Sequence, residues 1–266
     1  MKTYMKNLIS IILILILLPM ISTIIIQGKE VMIENSREQS ELEMILPGAV
    51  ASCISEKSPM EALKAQTVII RTMLLNTKEK DSIKAMESAK INYNSDFSEN
   101  IEAAVRETEG EIITYHNEPI KPAFHAVSAG KTRNMGEIRE GTLYPYLSSV
   151  SSKWDKESDD YLSTVTVDSI SDNIVINSRD SAGYVLNISV GEETMTGEEF
   201  KDKYHLNSSN FSYKKQQKKV TFTVRGVGHG IGLSQYGAIQ MAQEGKDYEE
   251  IIKYYFKNTE ISLSYE

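Results

Sequence analysis

This chain predicts an α+β fold, and three observations carry that expectation. Short apolar runs of strand character, such as Val185–Val190 and Val220–Val224, are mixed with helical runs, and no internal repeat orders them. The segment Ser58-Pro59-Met60-Glu61 has the chemistry of a helix start. Near the C-terminus, Arg225-Gly226-Val227-Gly228-His229-Gly230-Ile231-Gly232-Leu233-Ser234-Gln235-Tyr236 alternates glycines around one histidine and then enters a helical run. A single domain is expected over residues 42–266, and two lobes around a central cleft are one form it could take.

The elements follow in order. Lys2 and Lys6 precede an apolar run from Leu8 to Ile26, broken by Ser10, Pro19, Ser22 and Thr23. Its 19 residues nearly match a hydrocarbon core of about 30 Å. A cleaved signal peptide is the alternative, but the run ends Ile-Ile-Ile-Gln-Gly-Lys, with no small-x-small cleavage site. Residues 1–29 are therefore expected to be an uncleaved single-pass anchor in the cell membrane, with residues 30–41 as linker. The leading lysines place the bulk of the chain outside the cytoplasm. That position removes ATP and NAD from consideration, and no cofactor is expected.

Ser58 is expected as N-cap, Pro59 in the first turn and Glu61 as the return arm of a capping box. The helix then runs to about Asn76, with Leu63, Ile70 and Leu74 on its core face. Residues 101–108 read as a second helix closed by Gly110. Strands are expected at Ile112–Tyr115, Ala123–Val127, Leu147–Val150, Ser163–Val167, Val185–Val190 and Val220–Val224. Ile239–Gln243 and Tyr248–Phe256 read as helices separated by Gly245.

Composition excludes several functions. A net charge of -8 argues against nucleic acid, which needs a basic patch. Cys53, the only cysteine, has no partner for an internal disulfide. His116, His125, His205 and His229 are scattered, so no metal site is expected. The glycine segment is not a dinucleotide fingerprint, because no βαβ unit can follow it. A tight turn with several positive φ angles explains the glycines. It leaves His229, Gly230, Ser234, Gln235 and Tyr236 as candidates to face a ligand.

Four stretches together resemble the SpoIID/LytB family. They are the glycine segment, Pro59-Met60-Glu61-Ala62-Leu63-Lys64-Ala65-Gln66 with Arg71-Thr72, Ala123-Phe124-His125-Ala126-Val127-Ser128-Ala129-Gly130-Lys131-Thr132, and Thr196-Gly197-Glu198-Glu199-Phe200. The resemblance implies a sporulation protein acting on the glycan strands of peptidoglycan as a lytic transglycosylase, beside other sporulation membrane proteins. In that reaction one carboxylic acid protonates the glycosidic oxygen, and the sugar's own C6 hydroxyl closes an anhydro ring. No attacking water or second carboxylate is needed, unlike in ordinary glycosidases.

The family's acid is a Glu eight residues before Glu61, and that position holds Cys53. A thiol near pKa 8.5 is a poor general acid. Glu56 is the nearby carboxyl that could replace it. Lys64 and Arg71, seven residues apart, point the same way on a helix, about 20° from eclipsed. The resemblance places them beside the acid. It also implies that His125, Ser128, Lys131 and Thr132 form a polar wall for substrate. A binding-only member, with the cleft kept and the acid lost, is the alternative to an enzyme.

Overall fold

The computed structural model describes residues 42–76, 98–139, 144–168, 170, 173–217 and 219–264. The expected anchor at 1–29 and linker at 30–41 lie outside the described residues. Among the described residues, no helix is long and apolar enough to cross a membrane. One compact unit begins at Leu46, and the described residues before it, 42–45, are helical.

Residues 46–53 are helical and end at Cys53. Helix α1 follows at Met60–Leu75. Its buried residues are Ala62, Leu63 and Ala65 through Thr72, which is burial nearly all round rather than on one face. Such a helix belongs at a centre. It packs against α2 (Glu99–Glu107), β1 (Glu111–Tyr115), α5 (Gln235–Gln243) and α6 (Tyr248–Tyr255). The expected capping box at Ser58 does not form, and Pro59 occupies the cap position without a side-chain bond. The Glu61 carboxylate is engaged elsewhere. It accepts from the Tyr248 amide at 2.9 Å and from Lys64 Nζ at 3.1 Å, so α1 is tied to α6 instead of to its own start.

Between α2 and α5 the chain forms β2 (Glu118–Pro119), β3 (Phe124–His125), α3 (Met135–Ile138), β4 (Leu162–Asp168), β5 (Ile174–Arg179), β6 (Val185–Val190), β7 (Glu193–Thr196), α4 (Gly197–Lys203), β8 (Phe211–Gln216), β9 (Lys219–Arg225) and β10 (Leu233–Ser234), and β11 (Glu260–Leu263) ends it. The sheets run in the orders β11-β1-β2, β4-β9-β8 and β5-β6-β7, with β3 and β10 as a parallel pair. The fold is α+β, as expected.

Among the described residues there are two hydrophobic cores. The first gathers Val68, Ile69, Ile113, Leu233, Met241, Ile252 and Phe256 around α1. The second is built from one contiguous stretch, with Ile188, Phe200, Phe211, Phe222 and Val224 at its centre. The strand expected at Leu147–Val150 does not form. Its backbone bonds the loop of residues 131–135 instead, through Thr132 N–H to Val150 O at 2.9 Å and Met135 N–H to Leu147 O at 3.0 Å. The strand expected at Ala123–Val127 shrinks to Phe124–His125, with Val127 bridged to Val227. Helix α5 begins four residues before the expected Ile239, because Ser234 caps it by accepting from Gly237 N–H.

Candidate functional site

The glycine segment is a turn that fits around the central motif. Gly226, Gly228, Gly230 and Gly232 all have positive φ, between 71° and 102°. A Cβ at Gly232 would sit 2.0 Å from the Ala123 carbonyl oxygen, and one at Gly226 would sit 2.6 Å from that of Val127. At Gly230 it would meet the Tyr184 ring at 2.5 Å. The close approach that glycine permits here is made by the protein's own backbone and by Tyr184. The result is the parallel pairing of β10 with β3, which sets Ser234 beside His125 in register.

Three groups of expected site residues come together on this frame. In the first, Gln235 Nε2 donates to the Cys53 carbonyl at 2.8 Å and to Gln66 Oε1 at 3.2 Å. The first residue of α5 therefore holds the end of the 46–53 helix against α1. Cys53 is half-buried and in no disulfide. Gln66 is fully buried, and its Nε2 has no partner.

The second group is a histidine pair, His125 and His229, with ring centroids 5.8 Å apart. His125 Nδ1 lies 3.1 Å from the Ile231 carbonyl and so carries its proton there. Its Nε2 is then an acceptor, buried and unpartnered. Burial first, then the charge of His229, pushes His125 down to about 3, against the Ile231 bond. His229 Nδ1 accepts from Ile231 N–H at 3.0 Å, and burial lowers its pKa as well. Both rings are neutral at ordinary pH and act as hydrogen-bonding groups rather than charges.

The third group centres on Asp155, which has no exposure. Ser234 Oγ donates to Oδ1 at 2.8 Å and Ser128 N–H to Oδ2 at 2.9 Å. Burial raises the Asp155 pKa against those bonds. Ser128 and Ser234 are thus joined, with their polar atoms turned inward. Thr132 is buried too and pairs with the Val150 backbone.

The remaining expected residues lie elsewhere. Lys64 pairs with Glu107 at 2.8 Å and Glu61 at 3.1 Å, and the Glu107 bond is first among the causes that hold its pKa above the usual lysine value. Arg71 is 1% exposed and donates to the Val105 and Glu111 carbonyls and to Thr108 Oγ1. The two do share a side of α1, and that side faces α2. Glu56 is exposed, with its carbonyl taken by Asn100 at 3.4 Å. Lys131 is exposed and bridges to Ser151 through backbone. Tyr236 is half-buried, and its amide bonds the Ala126 carbonyl at 3.0 Å.

Sequence reasoning missed Arg133, one residue past the central motif. Its side chain is 2% exposed and meets Asp180 Oδ2 and Glu198 Oε1, each at 2.6 Å. It also donates to the His229 carbonyl at 3.2 Å and stacks over Tyr184 at 4.8 Å. Arg133 therefore ties the glycine turn to the stretch that builds the second core. Charged residues are seldom fully buried, so only the proximity to Thr132 could have flagged it. Gln66 and Asp155 were missed for a similar reason, since their roles arise from partners distant in sequence.

A family model described as stage II sporulation protein matches residues 34–115, the part holding the helix end at Cys53, α1, α2 and β1. Stage II sporulation protein D of Bacillus subtilis (strain 168) is 34% identical over 86% of this chain and 76% of its own length. The protein of that name in Bacillus amyloliquefaciens gives the same identity and shares. The chain belongs to the SpoIID family. An amidase enhancer of Bacillus subtilis (strain 168) is also similar, at 24% identity over 82% of this chain and 40% of that protein. In this SpoIID-family sporulation protein, the matched region carries Cys53 and Gln66 within one framework of hydrogen bonds.

Proposed function

We propose that this SpoIID-family sporulation protein engages the glycan strands of peptidoglycan and holds them without cutting. The observation that carries this reading is the side chain at position 53. Transglycosylation needs a carboxylic acid within hydrogen-bond reach of the glycosidic oxygen. The end of the 46–53 helix, which would present it, is held against α1 through Gln235 and Gln66, and it carries the Cys53 thiol. Lys64 and Arg71 are engaged with α2 and its flanks, so neither is a spare charge for an acid. Two neutral histidines can hydrogen-bond the hydroxyls and amides of a sugar chain. The similarity to a protein named as an amidase enhancer supports a role in wall remodelling beside a hydrolase. In this reading the apolar run at 8–26 anchors the chain in the cell membrane, facing outward, and other sporulation membrane proteins are its partners.

The test is incubation of the full-length chain with denuded glycan strands, followed by sedimentation and mass spectrometry. Strands should sediment with the protein and show no anhydro-muramic ends, while Cys53→Glu should produce such ends. Anhydro product from the unmodified chain would overturn the holding role and direct attention to Glu56. Absence of co-sedimentation would overturn glycan engagement itself.

A further inference from the structure

A surface ledge unrelated to the helix end at Cys53 has the makings of a ligand site. Trp154 and Tyr254 are half-buried, with ring centroids 5.8 Å apart and planes at 72°. Both rings are held by hydrogen bonds. Trp154 Nε1 donates to Glu244 Oε1 at 2.7 Å, and Tyr254 Oη donates to the Ser151 carbonyl at 2.7 Å. The first core lies behind them. Lys153 Nζ stands 5.5 Å from the Trp154 ring centre, and Lys257 Nζ stands 4.8 Å from that of Tyr254. Among the described residues, neither ammonium is in an ion pair, whereas the nearby Lys246 and Lys253 pair with Glu250 and Glu249. A chain of net charge -8 thus presents two cations outside any ion pair, beside two oriented aromatic rings and the one carboxylate, Glu244, that holds the Trp154 ring.

We propose that this ledge is a second glycan contact, taking a peptidoglycan strand by ring stacking and by its lactyl carboxylates. Aromatic rings with fixed edges offer broad apolar contact at little entropy cost. The flanking ammoniums give charge complementarity to a polymer that carries a carboxylate on each muramyl unit. A neutral polysaccharide would use the rings alone. The ledge sits at the end of α5 away from Gln235, about 13 Å along the axis at 1.5 Å per residue. It can therefore hold a strand independently of the helix end at Cys53. The inference rests on the proposed glycan role, and its test separates the two.

Trp154 is the only tryptophan, so emission of the full-length chain excited at the red edge, where tryptophan absorbs and tyrosine does not, reports on the ledge. Soluble denuded muramyl oligosaccharides should shift its emission saturably, and neutral chito-oligosaccharides should do so more weakly. Lys153→Gln with Lys257→Gln should cut affinity for the carboxylated ligand about fivefold to tenfold, the scale of two exposed charge contacts. That pair should leave the neutral ligand unaffected, whereas Tyr254→Leu should weaken both. Co-sedimentation with strands but unchanged emission would overturn the ledge while leaving the glycan role intact. Failure of both readouts would overturn the two proposals together. Equal affinity for charged and neutral ligands would overturn the part assigned to the lysines.

Discussion

Arg133→Met tests whether one buried guanidinium joins the two cores. The side chain is 2% exposed and Asp180 is fully enclosed, so removing the cation leaves a buried carboxylate without its counter-charge. Breaking a buried pair on one side costs about 3–5 kcal/mol. The structure points to the lower end. Asp180 Oδ1 keeps the amides of Ala182 and Tyr184, and Glu198 is 35% exposed and keeps Lys201 and Ser209. A loss of about 3 kcal/mol is a large share of a typical stability of roughly 5–15 kcal/mol. At a urea slope of about 2–3 kcal/mol per molar, the midpoint should fall by about 1–1.5 M. The assay is equilibrium urea unfolding followed by far-UV circular dichroism and by Trp154 emission. Trp154 packs against the first core, whereas circular dichroism sees both. The two curves should separate in the variant if Arg133 couples the cores. Adding Asp180→Asn should recover at least about 1 kcal/mol, because a neutral amide is cheaper to bury than a charge. Lys253→Gln, which breaks an exposed pair, should cost only about 0.3–0.5 kcal/mol. A midpoint shift for Arg133→Met no larger than that control, or no recovery in the double variant, would refute the reasoning.

Three further outcomes are expected. His125 is neutral when folded, with its pKa pushed down to about 3 from the ordinary 6.5, so the unfolded chain binds the extra proton first as pH falls. Its contribution is complete above 6.5 and is lost at up to about 1.4 kcal/mol per pH unit below that. His125→Gln should flatten the acid limb of a stability–pH curve, and an unchanged limb would count against the burial. Gly232→Ala meets both a positive φ of 71° and a carbonyl 2.0 Å away, whereas Gly245→Ala meets φ 88° with open space. Gly245→Ala should cost about 1 kcal/mol and Gly232→Ala at least about 2 kcal/mol more, read as thermal midpoints. Asp155→Asn should cost about 1–3 kcal/mol and loosen the start of α5, visible as faster amide exchange at Gly237.

Much of the frame could be read before any coordinates. Periodicity and breakers located α1, α2, β1, β9 and α6 to within a few residues, since their apolar spacing reflects burial directly. The alternating glycines announced a turn of positive φ angles, because other residues avoid that region. The motif stretches placed the chain in its family. Tertiary structure decided what sequence spacing does not encode. It decided which side of α1 Lys64 and Arg71 face, and that side is α2. It decided that the space beside Gly226 and Gly232 is filled by backbone, and that Thr196-Gly197-Glu198-Glu199 caps α4 while Glu198 reaches Arg133. The short strands β3 and β10 exist only because they find each other across more than a hundred residues, and no local propensity selects them. The buried polar groups at Gln66, Arg133 and Asp155 follow the same rule. A charge or amide is stable in the interior only when its partners arrive, and those partners come from distant parts of the chain.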